Sequence, residues 1–367
     1  MLAFLLPHTS TILLLLPPLL CLMLLSISSG RRRSSLVFIP LVSIFVSLLF
    51  NLSVAQTKAI QAVATTTLYF VCFPFVGDLR VRNGYLYFCL TFIFLSQISY
   101  LLGIPYINEF FERLYPISEE DIYSIDYLRE NINTSNVLSF RLGGLYHNEN
   151  QCAKYITFLL SFFLIVNQDN KMREIVPFML VAFLGVLLTG SRTGFVVSVL
   201  IILFAFSMKR GLSVRYRTIV GLLAIIVFIY FVVNATGTLR SLDVEKGIKN
   251  SAKVKWDTFA YYIASEDSIV KLLFGYLDVS LFKGSPFLPF FDSEYGDLIF
   301  CYGIIGFISV FLFWYLISRR INSYSRLFFI NLLWIVSSSI VTSYRASFVF
   351  MLLLSILYSK QDSVPTR

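Results

Sequence analysis

Few side chains in this 367-residue chain have the type and spacing to do chemistry, and they fall in four short clusters. The first is Arg141-Leu-Gly-Gly-Leu-Tyr-His147-Asn148-Glu149-Asn150, which runs on to Lys154 at the head of an apolar stretch. An arginine, two glycines that allow a close turn, and a His/Asn/Glu/Asn group at a helix start could hold an anion with side-chain and amide donors. The competing reading is a helix cap on Asn148 or Asn150, with Arg141 solvated. The second cluster is Gly190-Ser-Arg192-Thr-Gly194, between apolar runs of about 15 residues, or roughly 22 Å of helix against a hydrocarbon core of about 30 Å. A turn joining such short helices would set Arg192 at membrane depth, where an ionisable residue marks function by default; otherwise the arginine snorkels to the boundary. The third runs from Lys253-Val-Lys-Trp256 to Gly275-Tyr276, and Val254, Phe259, Ala260 and Ile263 fall near the spacing of an interfacial amphipathic helix. In the fourth, Asp292, Glu294 and Asp297 stand where a polar stretch meets an apolar one, positioned to pair with an arginine, titrate high, or cap a helix. Arg345 lies alone in a short turn.

The elements that must position these groups are membrane helices. Hydrophobic residues make up 57% of the chain and charged ones only 14%, where soluble domains carry roughly 25% charge, and the mean hydropathy is +0.76. Apolar runs predict about eleven spans, near 9–29, 35–52, 59–77, 84–103, 153–167, 175–190, 194–208, 218–235, 296–317, 327–343 and 346–359. Arg31, Arg32 and Arg33 follow the first run instead of preceding it, so it reads as a retained span and not as a signal peptide.

Sorting Lys and Arg by alternate loops gives the orientation. One set of short loops, from Arg31–Arg33 through Arg80, Lys171, Lys209 and Arg319 to Lys360, holds sixteen basic residues against four acidic ones. The opposite short loops hold only Lys58, Arg192 and Arg345, so the first set is cytoplasmic, with the N-terminus outside and the C-terminus inside. Two long segments, about 104–152 and 236–295, then fall together on the outer face. They carry most of the acidic residues and read as built surface, since loops of that length are usually functional. The net charge of +9 is thereby explained by topology, without nucleic acid. No GxxxxGKS or GxGxxG phosphate loop lies on the inner face, which argues against an ATP-driven enzyme. Cys21, Cys72, Cys89, Cys152 and Cys301 are dispersed in or beside apolar runs, without metal spacing, and read as small buried apolar residues.

In their order and common side, Arg141 with its glycines and the Asn148/Asn150 pair, the Gly-Ser-Arg-Thr turn, the Lys253–Trp256 segment leading to Gly275, and the Asp292–Gly306 boundary resemble the O-antigen polymerase and O-antigen ligase superfamily. The resemblance covers roughly residues 135–310 by motif and the whole chain by topology. It implies an all-α, GT-C-like polytopic enzyme of the bacterial inner membrane. Such an enzyme transfers glycan from undecaprenyl pyrophosphate on the outer face, with no metal, nucleotide sugar or other cofactor. The partners it implies are the lipid-linked glycan, membrane lipid, a chain-length regulator and a flippase.

Under that resemblance Arg141, Arg192, Lys253 and Arg345 would bind the pyrophosphate. Asn148, Asn150 and Trp256 would contact glycan, and Asp292, Glu294 or His147 would serve as base. Lys253 stands where the family often has arginine. Asp292 and Glu294 stand where its ligases carry histidine, which favours polymerase over ligase. The rival readings are a ligase acting on a separate acceptor, a lipid-linked sugar transporter and a non-catalytic assembly partner. A transporter should show internal repeats or broken midplane helices, and no repeat is visible between the halves.

Overall fold

The computed structural model of the chain describes residues 35–51, 81–114, 142–146, 149–208, 256–266, 268–277, 281–283, 294–336 and 344–362. In chain order the helices are α1 (Phe38–Phe50), α2 (Asn83–Leu102), α3 (Pro105–Leu114), α4 (Glu149–Val166), α5 (Met172–Thr189), α6 (Arg192–Met208), α7 (256–265), α8 (Ile269–Phe274), α9 (Glu294–Arg320) and α10 (Tyr344–Asp362). Short 3-10 turns at Ser35–Val37 and Gly144–Tyr146 and a longer 3-10 helix at Ser325–Val336 complete them, and no strand occurs among the described residues. The predicted spans near 9–29, 59–77 and 218–235 lie outside the described residues.

Among the described residues, three helices, α2, α5 and α9, are long and apolar enough to cross a membrane, and shorter apolar helices accompany them. Side-chain distribution makes the same point. In α1 the exposed residues are Phe38, Val42, Phe45, Leu49 and Phe50, while Ser43, Ser47 and the C-cap residue Asn51 face inward. A helix in water would invert that arrangement; in lipid the hydrocarbon surface belongs outside, and polar groups turn in to bond one another. The described residues are therefore all-helical, and the protein is membrane-embedded.

Several expected boundaries move. The helices flanking Gly190–Gly194 have 18 and 17 residues, roughly 27 and 25 Å, because their polar end residues join the helix. They come close to core thickness, so shortness no longer argues for a sunken turn. The segment predicted at 327–343 begins instead as a 3-10 helix whose 12 residues cover about 24 Å at 2.0 Å each. The helix expected from the Lys253–Ile263 spacing is α7 over residues 256–265, which buries Thr258 and Tyr262 with Phe259 and Ile263 beside them. Ala260, expected on the packed face, is exposed, because the partner rings lie on the Thr258/Tyr262 side.

The described helices sort into two compact units. The first comprises α2 to α6 and the 3-10 residues as far as Trp334. Its centre is α4, buried almost throughout. Phe163 stacks on Phe178 of α5 at 3.8 Å, and the Tyr87 ring of α2 meets both edge-on. Trp334 Nε1 donates to Thr157 Oγ1 at 3.0 Å and Asn331 Nδ2 to Ser161 Oγ at 2.8 Å, which holds the 3-10 helix against α4. The second unit comprises α1 and α7 to α10. Ser43 and Ser309 share a 2.6 Å hydrogen bond between α1 and α9, and Trp314 meets Phe350 between α9 and α10.

Candidate functional site

In the first unit, the segment before α4 is pinned by buried polar groups of α2. Gln97 Nε2 donates to the carbonyls of Leu142 (3.1 Å) and Gly185 (3.0 Å), and Ser96 Oγ accepts the Leu145 N–H at 3.1 Å. The Leu142 N–H in turn donates to Leu188 O at 3.0 Å. Residues 142–146, which directly follow Arg141, thus sit beside the last turn of α5, the turn that leads into Gly190–Gly194.

The decisive bond joins the first two sequence clusters. Ser191 Oγ donates to Asn150 Oδ1 at 2.8 Å and accepts the Gly194 N–H at 3.2 Å, so it caps α6 while tying that cap to the start of α4. Gly194 permits the approach, since a Cβ there would lie 2.6 Å from Ala153 Cβ. Arg192 is the first residue of α6, next to this knot. One turn beyond Asn150, on the same face of α4, Lys154 is fully buried (0% exposed), the one charged side chain buried among the described residues. A lysine buried in such a helix needs its desolvation offset by a partner, and Lys154 is partnered within the protein. Gln97 and Lys154 were missed as functional candidates. Each was visible as a polar residue within or at the head of an apolar run.

The second unit assembles the third and fourth clusters around a broken helix. Gly303 interrupts α9 at φ 68°, ψ −179°, where a Cβ would overlap the Leu273 carbonyl. Two carbonyls of the turn before the break are taken up by the segment after α8: Tyr276 N–H donates to Phe300 O at 2.7 Å and Leu277 N–H to Cys301 O at 2.8 Å. Gly275 is equally constrained, because its own Cβ would overlap the Cys301 carbonyl. From α1, Ser47 Oγ donates to Phe274 O and Asn51 Nδ2 to Gly275 O at 3.0 Å. Freed backbone groups in a membrane protein need such partners.

A polar chain runs outward from the break. Lys271 Nζ donates to Asn51 Oδ1 and stands 4.8 Å from the Tyr276 ring centre. The Tyr276 hydroxyl donates to Glu266 at 2.6 Å. Burial, then that hydrogen bond and the Glu266 charge, push Tyr276 up to about 12. Burial foremost, with Glu266 adding to it, also raises Tyr262. Both phenols therefore stay protonated through the neutral range.

Of the sequence-predicted residues, Asn150 is drawn into the Ser191 knot, while Trp256 stands 61% exposed at the start of α7, its ring 5.8 Å from that of Phe259. Arg192, Glu294 and Arg345 fall at the first position of α6, the first of α9 and the second of α10. Arg141, His147, Asn148, Lys253 and Asp292 lie outside the described residues. Cys89, Cys152 and Cys301 are buried free thiols. Comparisons with protein-family models, with curated proteins and with solved structures return no match to this chain.

Proposed function

We propose that this chain polymerises oligosaccharide repeat units carried on undecaprenyl pyrophosphate, at the outer face of a bacterial inner membrane and within a bundle of about eleven spans. The observation that supports the reading best is the Asn150–Ser191 hydrogen bond. It brings Asn150, at the head of α4, and the Gly190–Gly194 turn to one place, although 41 residues separate the bonded pair.

In the reaction proposed, the acceptor sugar hydroxyl attacks the anomeric carbon of the lipid-linked chain. Its proton passes to a carboxylate, for which Asp292 and Glu294 are the candidates. The C–O bond to the pyrophosphate breaks, and the electron pair leaves with the phosphate oxygen. Arg141 and Arg192 would meet the charge that develops there, since guanidinium binds phosphate oxygens bidentately and stays ionised. The carboxylates at the fourth cluster favour polymerase over ligase.

The test is reconstitution. Purified protein, lipid-linked repeat units and no nucleotide should yield a ladder of glycan lengths on a gel. Arg141→Ala and Arg192→Ala, made separately, should abolish long chains while the protein remains in the membrane, and Lys58→Ala should not. Intact wild-type protein that extends no chain on authentic substrate would refute the reading.

A further inference from the structure

Lys271 is half-buried in the last turn of α8, and its partners among the described residues, Asn51 and the Tyr276 ring, are both neutral. Each partner is itself committed. Asn51 spends its amide hydrogens on the carbonyls of Ser47 (2.8 Å) and Gly275 (3.0 Å). Tyr276 spends its hydroxyl on Glu266, whose other oxygen accepts the Ser268 N–H at 3.1 Å. An ammonium carries three N–H donors. Asn51 takes one and the Tyr276 ring faces another, which leaves one with no acceptor among the described residues.

The surface around this cation is apolar and exposed: Leu49 and Phe50 end α1, and Ile269 and Val270 begin α8. Phe50 also stacks on Phe274 at 4.2 Å, which joins the two helices into one apolar ledge. By the charge bias of its loops, α1 ends at the outer face, so the ledge lies at headgroup depth. An oriented cation rimmed by hydrocarbon fits an amphiphile whose chain lies on the ledge and whose anionic head meets the ammonium.

We infer that Lys271 binds the phosphate head of a membrane lipid, with Asn51 and Tyr276 aiming its ammonium and Phe50, Ile269 and Val270 receiving the chain. The inference stands on the unit's own geometry and on the orientation read from the charges of its loops. It draws on the proposed function only for one source of that phosphate, the undecaprenyl pyrophosphate donor, the other source being a bilayer phospholipid.

The full chain, purified in a phosphate-free maltoside detergent, is titrated with four lipids and read by native mass spectrometry. Undecaprenyl pyrophosphate and phosphatidylglycerol carry phosphate; undecaprenol and diacylglycerol present matching tails without it. Lys271→Met should weaken binding of the phosphate lipids about tenfold and leave the phosphate-free pair unchanged, as the loss of a charge-assisted hydrogen bond predicts. Lys271→Arg should restore most of the affinity. Capping of α1 alone would lower the unfolding midpoint without discriminating phosphate, and that outcome overturns the inference. So does a folded Lys271→Met protein that binds all four lipids like wild type. If Lys271→Met does not fold, Lys271→Gln, which keeps a donor for Asn51 without the charge, is judged by the same readouts. Lys271-dependence for the pyrophosphate identifies the donor lipid; dependence for phosphatidylglycerol alone supports the inference and leaves Lys271 outside the reaction. Lys271-dependent binding without any glycan ladder refutes the proposed function and not the site.

Discussion

Ser191 joins two sequence clusters through one oxygen, donating to Asn150 and accepting from the Gly194 amide. Loss of that hydroxyl removes a helix cap and a hydrogen bond between helices together, so Ser191→Ala should cost about 1–2 kcal/mol. Part of that cost belongs to the pair. A double-mutant cycle of Asn150→Ala and Ser191→Ala, measured by unfolding in mixed micelles, should return a coupling of about 0.6 kcal/mol and at most roughly 1.7, as polar contacts between membrane helices do. Additive effects would show that the two side chains do not bond in the folded protein. The pair was legible only in half. Asn150 belonged to a visible cluster and Ser191 to another, but no spacing rule links residues 150 and 191.

At the scale of elements, the break in α9 and the segment after α8 depend on each other. Gly303 can adopt φ 68°, ψ −179° only because it lacks a Cβ, and Gly275 approaches closely enough for Tyr276 and Leu277 to take the freed carbonyls for the same reason. Gly303→Ala should therefore cost at least about 2–3 kcal/mol, through strain at Gly303 and the overlap with Leu273. Gly84 in the first turn of α2 is the control: a Cβ there meets nothing within 4 Å, so Gly84→Ala should be neutral or stabilising by up to about 1 kcal/mol. Equal effects of the two substitutions, read from unfolding midpoints in the same detergent, would contradict the broken-helix geometry. In the sequence, Gly275 and the glycines of the Asp292–Gly306 boundary stood out only through the family resemblance, and the apolar run near 296–317 read as one unbroken span across Gly303.

For the whole molecule, the testable statement is orientation. Lys and Arg are concentrated in loops assigned to the cytoplasm, and α7 and α8 lie in a segment assigned to the outside. With Cys21 and Cys72 replaced by serine and the buried Cys89, Cys152 and Cys301 retained, Trp256→Cys should react with a membrane-impermeant maleimide in intact spheroplasts. Arg173→Cys and Arg319→Cys should react only after permeabilisation. The reverse pattern would turn the fourth cluster toward the cytoplasm and remove the topological ground for chemistry on the outer face.

By itself, the sequence determined that the chain is helical and membrane-embedded, and roughly where the longer described helices run, though not α3 or α8, which lie in segments read as loops. Transfer of apolar side chains out of water is a sum over residues, so it can be read from composition and run length without knowing what touches what. Tertiary structure alone decided which polar groups meet inside the bundle. Gln97 reaches Leu142 and Gly185, Asn51 reaches Gly275 and Lys271, and Ser191 reaches Asn150. A hydrogen bond needs two partners within about 3 Å at a defined angle, and for residues tens to hundreds of positions apart that condition is met only once the helices have packed.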